Sequence, residues 1–140
     1  MSETVKASGS CACGAITITA DAISTNAGAC HCDTCRKWNG GPLMTVECSN
    51  GVSFTGQDNI SIFNSSDWAE RGFCKLCGSH LFYRLKQDLQ YHLPVGLFNI
   101  EAALTFDHQV FIDRKPAYYS FSNKTKDMTG EELFAFVAKD

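Results

Sequence analysis

Seven of the eight cysteines lie in three short clusters whose spacing points to metal binding. There are two pairs and one group of three: Cys11 and Cys13; Cys74 and Cys77; and Cys30, Cys32 and Cys35. A C-x-C or C-x-x-C pair places two sulfurs on one side of a turn, and each pair supplies half of a tetrahedron with Zn–S bonds of about 2.3 Å. The two pairs together would complete a closed site, here called the four-cysteine site. The group of three, called the three-cysteine site, would hold a metal with one open position.

The two predicted sites differ in the chemistry they can support. Joining the two distant pairs through a metal closes a long loop and stabilises a small fold. Three thiolates leave one coordination position for water or an exogenous thiol, so the second site is the candidate for catalysis. We therefore predict two zinc ions per chain. Partial occupancy is expected only at the open site, because its affinity depends on hydrogen bonds around the ligands.

Other uses of the cysteines are less consistent with the sequence. Four disulfides are compatible with an even count, but the segment Met1–Lys6 contains an acidic residue and lacks the apolar stretch of a secretory signal. This favours the cytoplasm, where thiols stay reduced. The spacings also differ from those of ferredoxin iron–sulfur clusters. Neither C-x-x-C pair is predicted to open a helix after a strand in a βαβ unit, as a thioredoxin-like motif would.

Length and composition favour one globular domain over residues 1–140. The chain has the usual size of a single domain. Its 44% hydrophobic and 19% charged residues are ordinary for a globular protein, and it contains no apolar run long enough to span a bilayer. A net charge of -3 argues against nucleic acid, because nucleic-acid-binding domains are usually strongly basic. We expect neither a nucleic-acid nor a membrane partner, and the sequence leaves the oligomeric state open.

Short alternations of apolar and polar residues, separated by Gly, Asn, Asp and Ser, predict a mainly β protein. The predicted strands are Ala15–Ala20, Leu43–Cys48, Val52–Phe54, Ile60–Phe63, Ala69–Phe73, Leu81–Arg84 and Tyr91–Val95. A helical pattern is clear only at the C-terminus. There Thr129 and Glu132 form a capping box ahead of Leu133, Phe134, Phe136 and Val137. We expect the apolar face of this helix to pack on the sheets.

Three segments carry a resemblance to a known family. They are Gly9–Ala15 (GSCACGA), Cys30–Gly41 (CHCDTCRKWNGG) and Arg71–Tyr83 (RGFCKLCGSHLFY). The order and spacing of these clusters resemble the glutathione-dependent formaldehyde-activating enzyme family, which also includes centromere protein V. The resemblance extends from about Gly9 to about Tyr119 and so covers most of the chain.

The resemblance implies a fold, two metal sites and an activity. The implied fold is mainly β and Mss4-like, with small antiparallel sheets around zinc-binding cysteine clusters and a short C-terminal helix. The implied metals are a structural zinc at the four-cysteine site and a catalytic zinc at the three-cysteine site. The implied activity is that of a carbon–sulfur lyase similar to S-(hydroxymethyl)glutathione synthase, with glutathione or another small-molecule thiol as substrate or ligand. The thiolate of this substrate would add to formaldehyde, and the reverse reaction would cleave the carbon–sulfur bond.

Two basic residues, Arg36 and Lys37, directly follow the three-cysteine cluster. They are candidates for binding a carboxylate of glutathione, because guanidinium and ammonium groups pair well with carboxylates. The alternative is a solvated turn whose positive charge balances the thiolates.

Three residues are candidates for proton transfer. His31 lies between two predicted ligands. We expect it to donate a hydrogen bond to the groups around the metal, or to be a surface residue, rather than to bind the metal itself. Glu47 is interpreted as an exposed strand residue, with a base as the alternative. His108 lies in the segment Asp107–Ile112, which resembles a family strand, and its role is left open between structural and catalytic.

Three further residues near the clusters are interpreted as packing residues. Trp38, ahead of Gly40 and Pro42, is predicted to lie in an ordered loop and to pack against the sheet. Trp68 is predicted to pack in the core, with an approach to the open site as the alternative. Cys48, the one cysteine outside the clusters, is predicted to be a small buried residue.

Two non-enzymatic functions compete with the enzyme. The centromere relative suggests a zinc-binding module for a protein or nucleic-acid partner, but the chain contains neither a basic extension nor a disordered arm. A thiol or zinc sensor is also compatible, because an open thiolate cluster can be oxidised or exchange its metal. The sequence favours the enzyme over both.

Overall fold

The computed structural model describes residues 3–88 and 90–138. These residues form eleven strands and two α-helices. The strands are β1 (Thr4–Ser10), β2 (Thr17–Ser24), β3 (Asn26–Cys30), β4 (Leu43–Cys48), β5 (Val52–Thr55), β6 (Ile60–Phe63), β7 (Ala69–Cys74), β8 (His80–Leu85), β9 (Tyr91–Pro94), β10 (Thr105–Val110) and β11 (Lys126–Met128). The helices are α1 (Asp33–Asn39) and α2 (Gly130–Ala138). The predicted mainly β fold is confirmed.

The strands join in one mixed sheet. Its main path runs β11-β10-β3-β4-β9-β8-β7-β6, and β1, β2 and β5 form a branch that β2 connects to β4. The path from β3 to β6 is antiparallel, as predicted. β10 differs, because it runs parallel to both β3 and β11. A parallel pair needs a long connection, which the intervening strands supply between β3 and β10.

The two faces of the sheet differ in character, because successive side chains of a strand point to opposite faces. One face packs into the hydrophobic core, which includes Ile18, Val46, Phe82 and Leu93. The other face bears four polar residues that are paired in register across β7, β8, β9 and β4: Arg71, Tyr83, His92 and Glu47. We call these four residues the polar row. A functional site can be built on this face without interrupting the core.

Helix α1 was not predicted, and the expectation that Trp38 lies in a loop is wrong. The Cys32 Sγ caps the helix by accepting the Cys35 N–H at 3.4 Å. At the other end, the Gly40 N–H donates to Arg36 O at 2.7 Å, and Gly40 has a φ of 77°. This left-handed ending is typical of glycine. Asp33 in the first turn and Gly40 after the last turn are the sequence signals that could have identified the helix.

The position of α1 also corrects one expectation about the C-x-x-C pairs. Cys32 and Cys35 do open a helix after strand β3. The strand that follows, β4, is antiparallel to β3, so the unit is not βαβ.

Helix α2 begins with the predicted capping box. The Glu132 N–H donates to Thr129 Oγ1 at 3.0 Å, and the Thr129 N–H donates to Glu132 Oε1 at 2.8 Å. The Phe134 ring meets the rings of Phe111 and Trp68 edge-on, at centroid distances of 5.8 Å and 6.0 Å. Phe134 nevertheless stays 51% exposed, so α2 packs only partly on the rest of the protein. The side chain of Val137 lies outside the described residues.

Within residues 3–88 and 90–138, neither helix has the length and apolar character needed to cross a bilayer.

Candidate functional site

The two cysteine pairs of the four-cysteine site come together across the fold. Their four Sγ atoms lie within 4.8 Å of one another, and all eight cysteines are free thiols. The Cys11–Cys13 and Cys13–Cys74 sulfur separations are 3.6 Å and 3.8 Å. Zn–S bonds of about 2.3 Å in a tetrahedron place the sulfurs about 3.8 Å apart. The cluster therefore has the dimensions of a tetrahedral metal site.

Each pair is shaped by a tight turn that ends in a glycine. The Gly14 N–H donates to Cys11 O at 3.1 Å, and the Gly78 N–H donates to Cys74 O at 2.7 Å. Both glycines have a φ of 80°, which residues with a side chain rarely adopt. Glycine therefore allows the turn that brings both sulfurs of a pair to one side.

Ser79 links the two pairs and was not identified from the sequence. Its Oγ accepts the Ala12 N–H at 2.9 Å and lies 3.2 Å from Cys77 Sγ. Since the oxygen accepts the amide, its own hydrogen is free to donate to the sulfur. This hydrogen bond lowers the pKa of Cys77 to about 5, which favours the thiolate that a metal requires.

The three-cysteine site is built where β3 meets α1. Cys30 ends the strand, Cys32 caps the helix, and Cys35 lies in the first turn. The three Sγ atoms lie within 4.8 Å of one another. Hydrogen bonding with Cys32 raises the pKa of Cys30, and the same contact lowers the pKa of Cys32 to about 2. The cluster therefore favours a thiolate among its cysteines, and the thiolate is the form that binds a metal.

Arg71 is a buried charge beside the three-cysteine site. The residue is 3% exposed, and its Nη2 donates to Cys35 Sγ at 3.4 Å. The guanidinium carbon also lies 5.1 Å from the centroid of the Tyr83 ring, in a cation–π contact. Its Nε and Nη1 have no hydrogen-bond partner within the described part of the chain. A buried guanidinium is costly unless negative charge compensates it, so this position requires an anionic neighbour.

The donor sets fit soft metal ions. Four thiolates at tetrahedral spacing form a closed site, and three thiolates form a site with one open position. Three thiolates with a divalent ion retain one negative charge, which the Arg71 guanidinium balances. A metal–thiolate centre would account for the otherwise unexplained burial of Arg71. Sequence analysis did not single out Arg71, because the neighbouring Glu70 makes two charged residues within the predicted strand Ala69–Phe73 and so suggests an exposed position.

Arg36 is held by protein contacts at the start of α1. Its Nε donates to His31 O at 3.0 Å, and its Nη2 lies 2.8 Å from Asp33 Oδ1. The residue therefore joins the helix to the end of β3 instead of lying in a solvated turn.

Lys37 instead faces an open cavity of about 770 Å³. Trp38, Phe63 and Phe73 form its apolar wall. Trp38 stacks on Phe63 at a centroid distance of 5.6 Å and meets Phe73 edge-on at 5.5 Å. The expected packing of Trp38 against the sheet is thus observed. Of the two basic residues considered for glutathione, Lys37 is the one beside open space.

His31 is fully buried and points away from the cysteines. Its Nε2 lies 2.7 Å from Gln109 Oε1, and its Nδ1 lies 2.7 Å from the Tyr119 hydroxyl. Burial lowers the pKa of His31. The neutral ring can donate to Gln109 through Nε2 and accept from Tyr119 through Nδ1. Of the two alternatives expected for His31, the surface position is wrong, because the ring is buried between Gln109 and Tyr119.

The remaining candidates divide between core and surface. Cys48 is 1% exposed and contacts Asn50 O at 3.0 Å, as expected for a small buried residue. Glu47 is exposed on β4, as expected, and accepts from Gln90 at 3.2 Å. Trp68 is 54% exposed, so its predicted place in the core is wrong.

The open site and the polar row occupy the same face of the sheet. On β3, Cys30 lies two residues after Gly28. On β4, Glu47 lies two residues after Thr45, and Gly28 pairs with Thr45 across the two strands. Residues two apart on a strand share a face. Arg71 joins the row to the cluster directly through its contact with Cys35. A substrate at the three-cysteine site would therefore have charged and polar side chains along one side.

Comparisons with known proteins agree with this arrangement. The chain is 37% identical over 132 residues to a Schizosaccharomyces pombe protein described as an uncharacterized lyase, a match that covers 94% of this chain and 96% of the relative. The crystal structure of a Rhodobacter sphaeroides protein matches with a TM-score of 0.56 at 21% identity, over 64% of this chain and 85% of that one. It shows a shared fold.

A family model described as glutathione-dependent formaldehyde-activating enzyme matches residues 6–114, which include all three cysteine clusters. With the relative of similar length, this match establishes that the chain belongs to the glutathione-dependent formaldehyde-activating enzyme family.

Proposed function

We propose that this protein is a zinc-dependent carbon–sulfur lyase that forms and cleaves the adduct of glutathione and formaldehyde. In the forming direction the thiol sulfur bonds to the formaldehyde carbon, and the carbonyl π electrons move to oxygen. The thiol proton ends on that oxygen, so the product is S-(hydroxymethyl)glutathione and no other reactant is needed. Family membership supports the substrate, and the three-cysteine site supports the chemistry.

The single observation that carries the proposal is an open cluster of three cysteines beside a buried arginine. A purely structural metal would need a fourth protein ligand, as the four-cysteine site provides. Zinc bound at the open cluster would lower the pKa of a thiol that completes its coordination. Arg71 would offset part of the negative charge of a centre that a fourth, anionic sulfur completes, because its guanidinium is buried beside the cluster.

The tripeptide needs contacts beyond its sulfur. Lys37 offers an ammonium group to a carboxylate, at the edge of a cavity large enough for several residues. Arg36 holds α1 in place through His31 and Asp33, so we assign it to positioning Lys37 and the cysteines.

The decisive experiment measures metal, ligand and turnover on the same protein. Native mass spectrometry of protein purified without chelator would count metal ions and detect a glutathione adduct. Exchange NMR with ¹³C-formaldehyde and glutathione would measure adduct formation and cleavage above the spontaneous rate. We expect two zinc ions per chain, one glutathione and accelerated exchange.

Cys35→Ser separates the site from the scaffold. This variant should keep the metal of the four-cysteine site and lose the second metal, the adduct and the catalysed exchange. Catalysed exchange at the wild-type rate by Cys35→Ser would refute the proposal. A wild-type protein that loses its second zinc under mild peroxide and shows no turnover would instead support a thiol sensor.

A further inference from the structure

A carboxylate–imidazole pair stands on the face of the sheet that carries the open cluster. The pairing of β10 with β3 shifts register between Phe106 and His108, so Asp107 is an extra residue in a β-bulge. Such bulges re-aim side chains and often lie next to active sites. His108 Nδ1 lies 2.7 Å from Asp107 Oδ1, and the Asn26 side-chain amide donates to the other carboxylate oxygen. Both carboxylate oxygens of Asp107 therefore accept a hydrogen bond.

The hydrogen bonds determine which nitrogen of His108 can exchange a proton with a ligand. A carboxylate can only accept, so Nδ1 carries the hydrogen that it donates to Asp107. In the neutral ring this leaves a lone pair on Nε2. The side chain is 40% exposed, so the ring is partly open to solvent.

Gly28 determines where the ring lies. A Cβ at this position would be 2.0 Å from His108 Nε2, so the imidazole lies directly on the Gly28 backbone. Cys30 follows two residues later on the same face of β3. Two residues of a strand span about 6.6 Å. The ring and Cys30 are therefore neighbours along one face of β3.

We propose that His108, oriented by Asp107, transfers the proton between sulfur and oxygen of the thiol adduct. This inference rests on the proposed function. In adduct formation, Nε2 takes the proton of the incoming thiol as the sulfur bonds to the formaldehyde carbon. The carbonyl π pair becomes an alkoxide, which receives the same proton from the imidazolium. Cleavage reverses each step, so no proton is gained or lost overall. Asp107 acts as a positioning residue that holds the ring through its hydrogen bond with Nδ1.

Two variants of His108 test this role. In His108→Ala the space above Gly28 is freed, and in His108→Gln a polar side chain of similar length remains without a transferable proton. Both should keep two metals and bind glutathione by native mass spectrometry. The catalysed exchange rate should fall at least about 100-fold in both, because positioned proton transfer contributes on that order or more.

Chemical rescue separates proton transfer from a structural role. Added imidazole should raise the catalysed exchange rate of His108→Ala at least about tenfold, since it can occupy the freed space. It should not restore Cys35→Ala, the matched control. Full activity in His108→Gln, or a loss in His108→Ala that imidazole leaves unchanged, would overturn the role of His108 alone. No catalysed exchange by the wild-type protein would overturn the proposed function together with this role.

Discussion

At the scale of residues, a few hydrogen-bond donors set the charge of the cysteine clusters. Ser79 donates to Cys77 while accepting from Ala12, so one hydroxyl connects both halves of the four-cysteine site. Arg71 supplies a full positive charge to the three-cysteine site through Cys35. Such outer partners tune metal affinity by stabilising the thiolate form of the ligands.

Replacing Ser79 should weaken the first metal site selectively. Ser79→Ala removes the hydrogen bond to Cys77, and we expect a loss of about tenfold or more in zinc affinity. Competition with a chromophoric chelator would measure it. Ser53→Ala, an exposed serine on β5, is the matched control and should leave affinity unchanged. Equal affinities for Ser79→Ala and the wild type would show that the hydroxyl has no influence on the metal.

A second residue-scale prediction concerns pH. Burial lowers the pKa of His80 to about 4, from an ordinary value of about 6.5. Above pH of about 6.5 the imidazole is neutral in both states and has no effect. Between about 6.5 and 4 the unfolded chain binds the proton first, so the free energy of unfolding falls as pH falls. The full loss is about 3 kcal/mol.

Urea unfolding at pH 7 and pH 4.5 would measure this effect of His80. His80→Gln keeps a donor for Phe82 O, which accepts from His80 at 3.0 Å, but does not titrate. Acid weakens metal binding in both proteins, so the difference between them isolates His80. An equal decrease in both would contradict the prediction.

At the scale of elements, strand pairing decided several structures that local patterns did not show. Strand β3 (NAGAC) has no β-branched residue, and its extended form comes from pairing with β4 on one side and β10 on the other. By contrast, Leu43–Cys48 and Ile60–Phe63 alternate clearly, and the structure reproduces their predicted limits. The Thr129–Glu132 box was predictable because capping is a local interaction.

Cys32 has two roles at the start of α1, since it belongs to the three-cysteine site and also caps the helix. Two substitutions separate these roles. Serine at position 32 keeps a side-chain acceptor for the Cys35 N–H, whereas alanine removes it. Both Cys32→Ser and Cys32→Ala should lose the second metal. Without that metal, Cys32→Ser should be more stable than Cys32→Ala by about 1 kcal/mol, the usual value of an N-cap. Urea unfolding and metal analysis would measure both effects, and equal stabilities would show that the cap contributes nothing.

At the scale of the whole molecule, the four-cysteine site connects distant parts of the chain. Cys13 and Cys74 are 61 residues apart in sequence, and their sulfurs are 3.8 Å apart. The site thus closes the loop that contains β2 to β7. The three-cysteine site spans only one strand end and one helix turn. The first cluster should therefore control global stability, and the second should control chemistry.

Serine substitution at one buried cysteine of each cluster tests this division. Cys74 is 0% exposed and Cys35 is 2% exposed, so the two substitutions are matched in burial. Closing a loop of this length with a cross-link is worth about 4 kcal/mol. In chemical denaturation, the free energy of unfolding should therefore decrease more in Cys74→Ser than in Cys35→Ser, by at least about 4 kcal/mol. Equal losses would show that the first cluster does not connect the fold.

The sequence alone determined the ligand groups, because a turn between two nearby cysteines brings their sulfurs together whatever the rest of the chain does. It also determined the family, the mainly β pattern and the cap of α2, all of which depend on short-range spacing. Tertiary structure alone decided which other side chains meet those sulfurs. Arg71 reaches Cys35 because α1 packs against β7, and His108 lies above Gly28 because β10 joins β3 in parallel with a bulge. Such contacts depend on strand register between segments far apart in sequence, which no local pattern encodes.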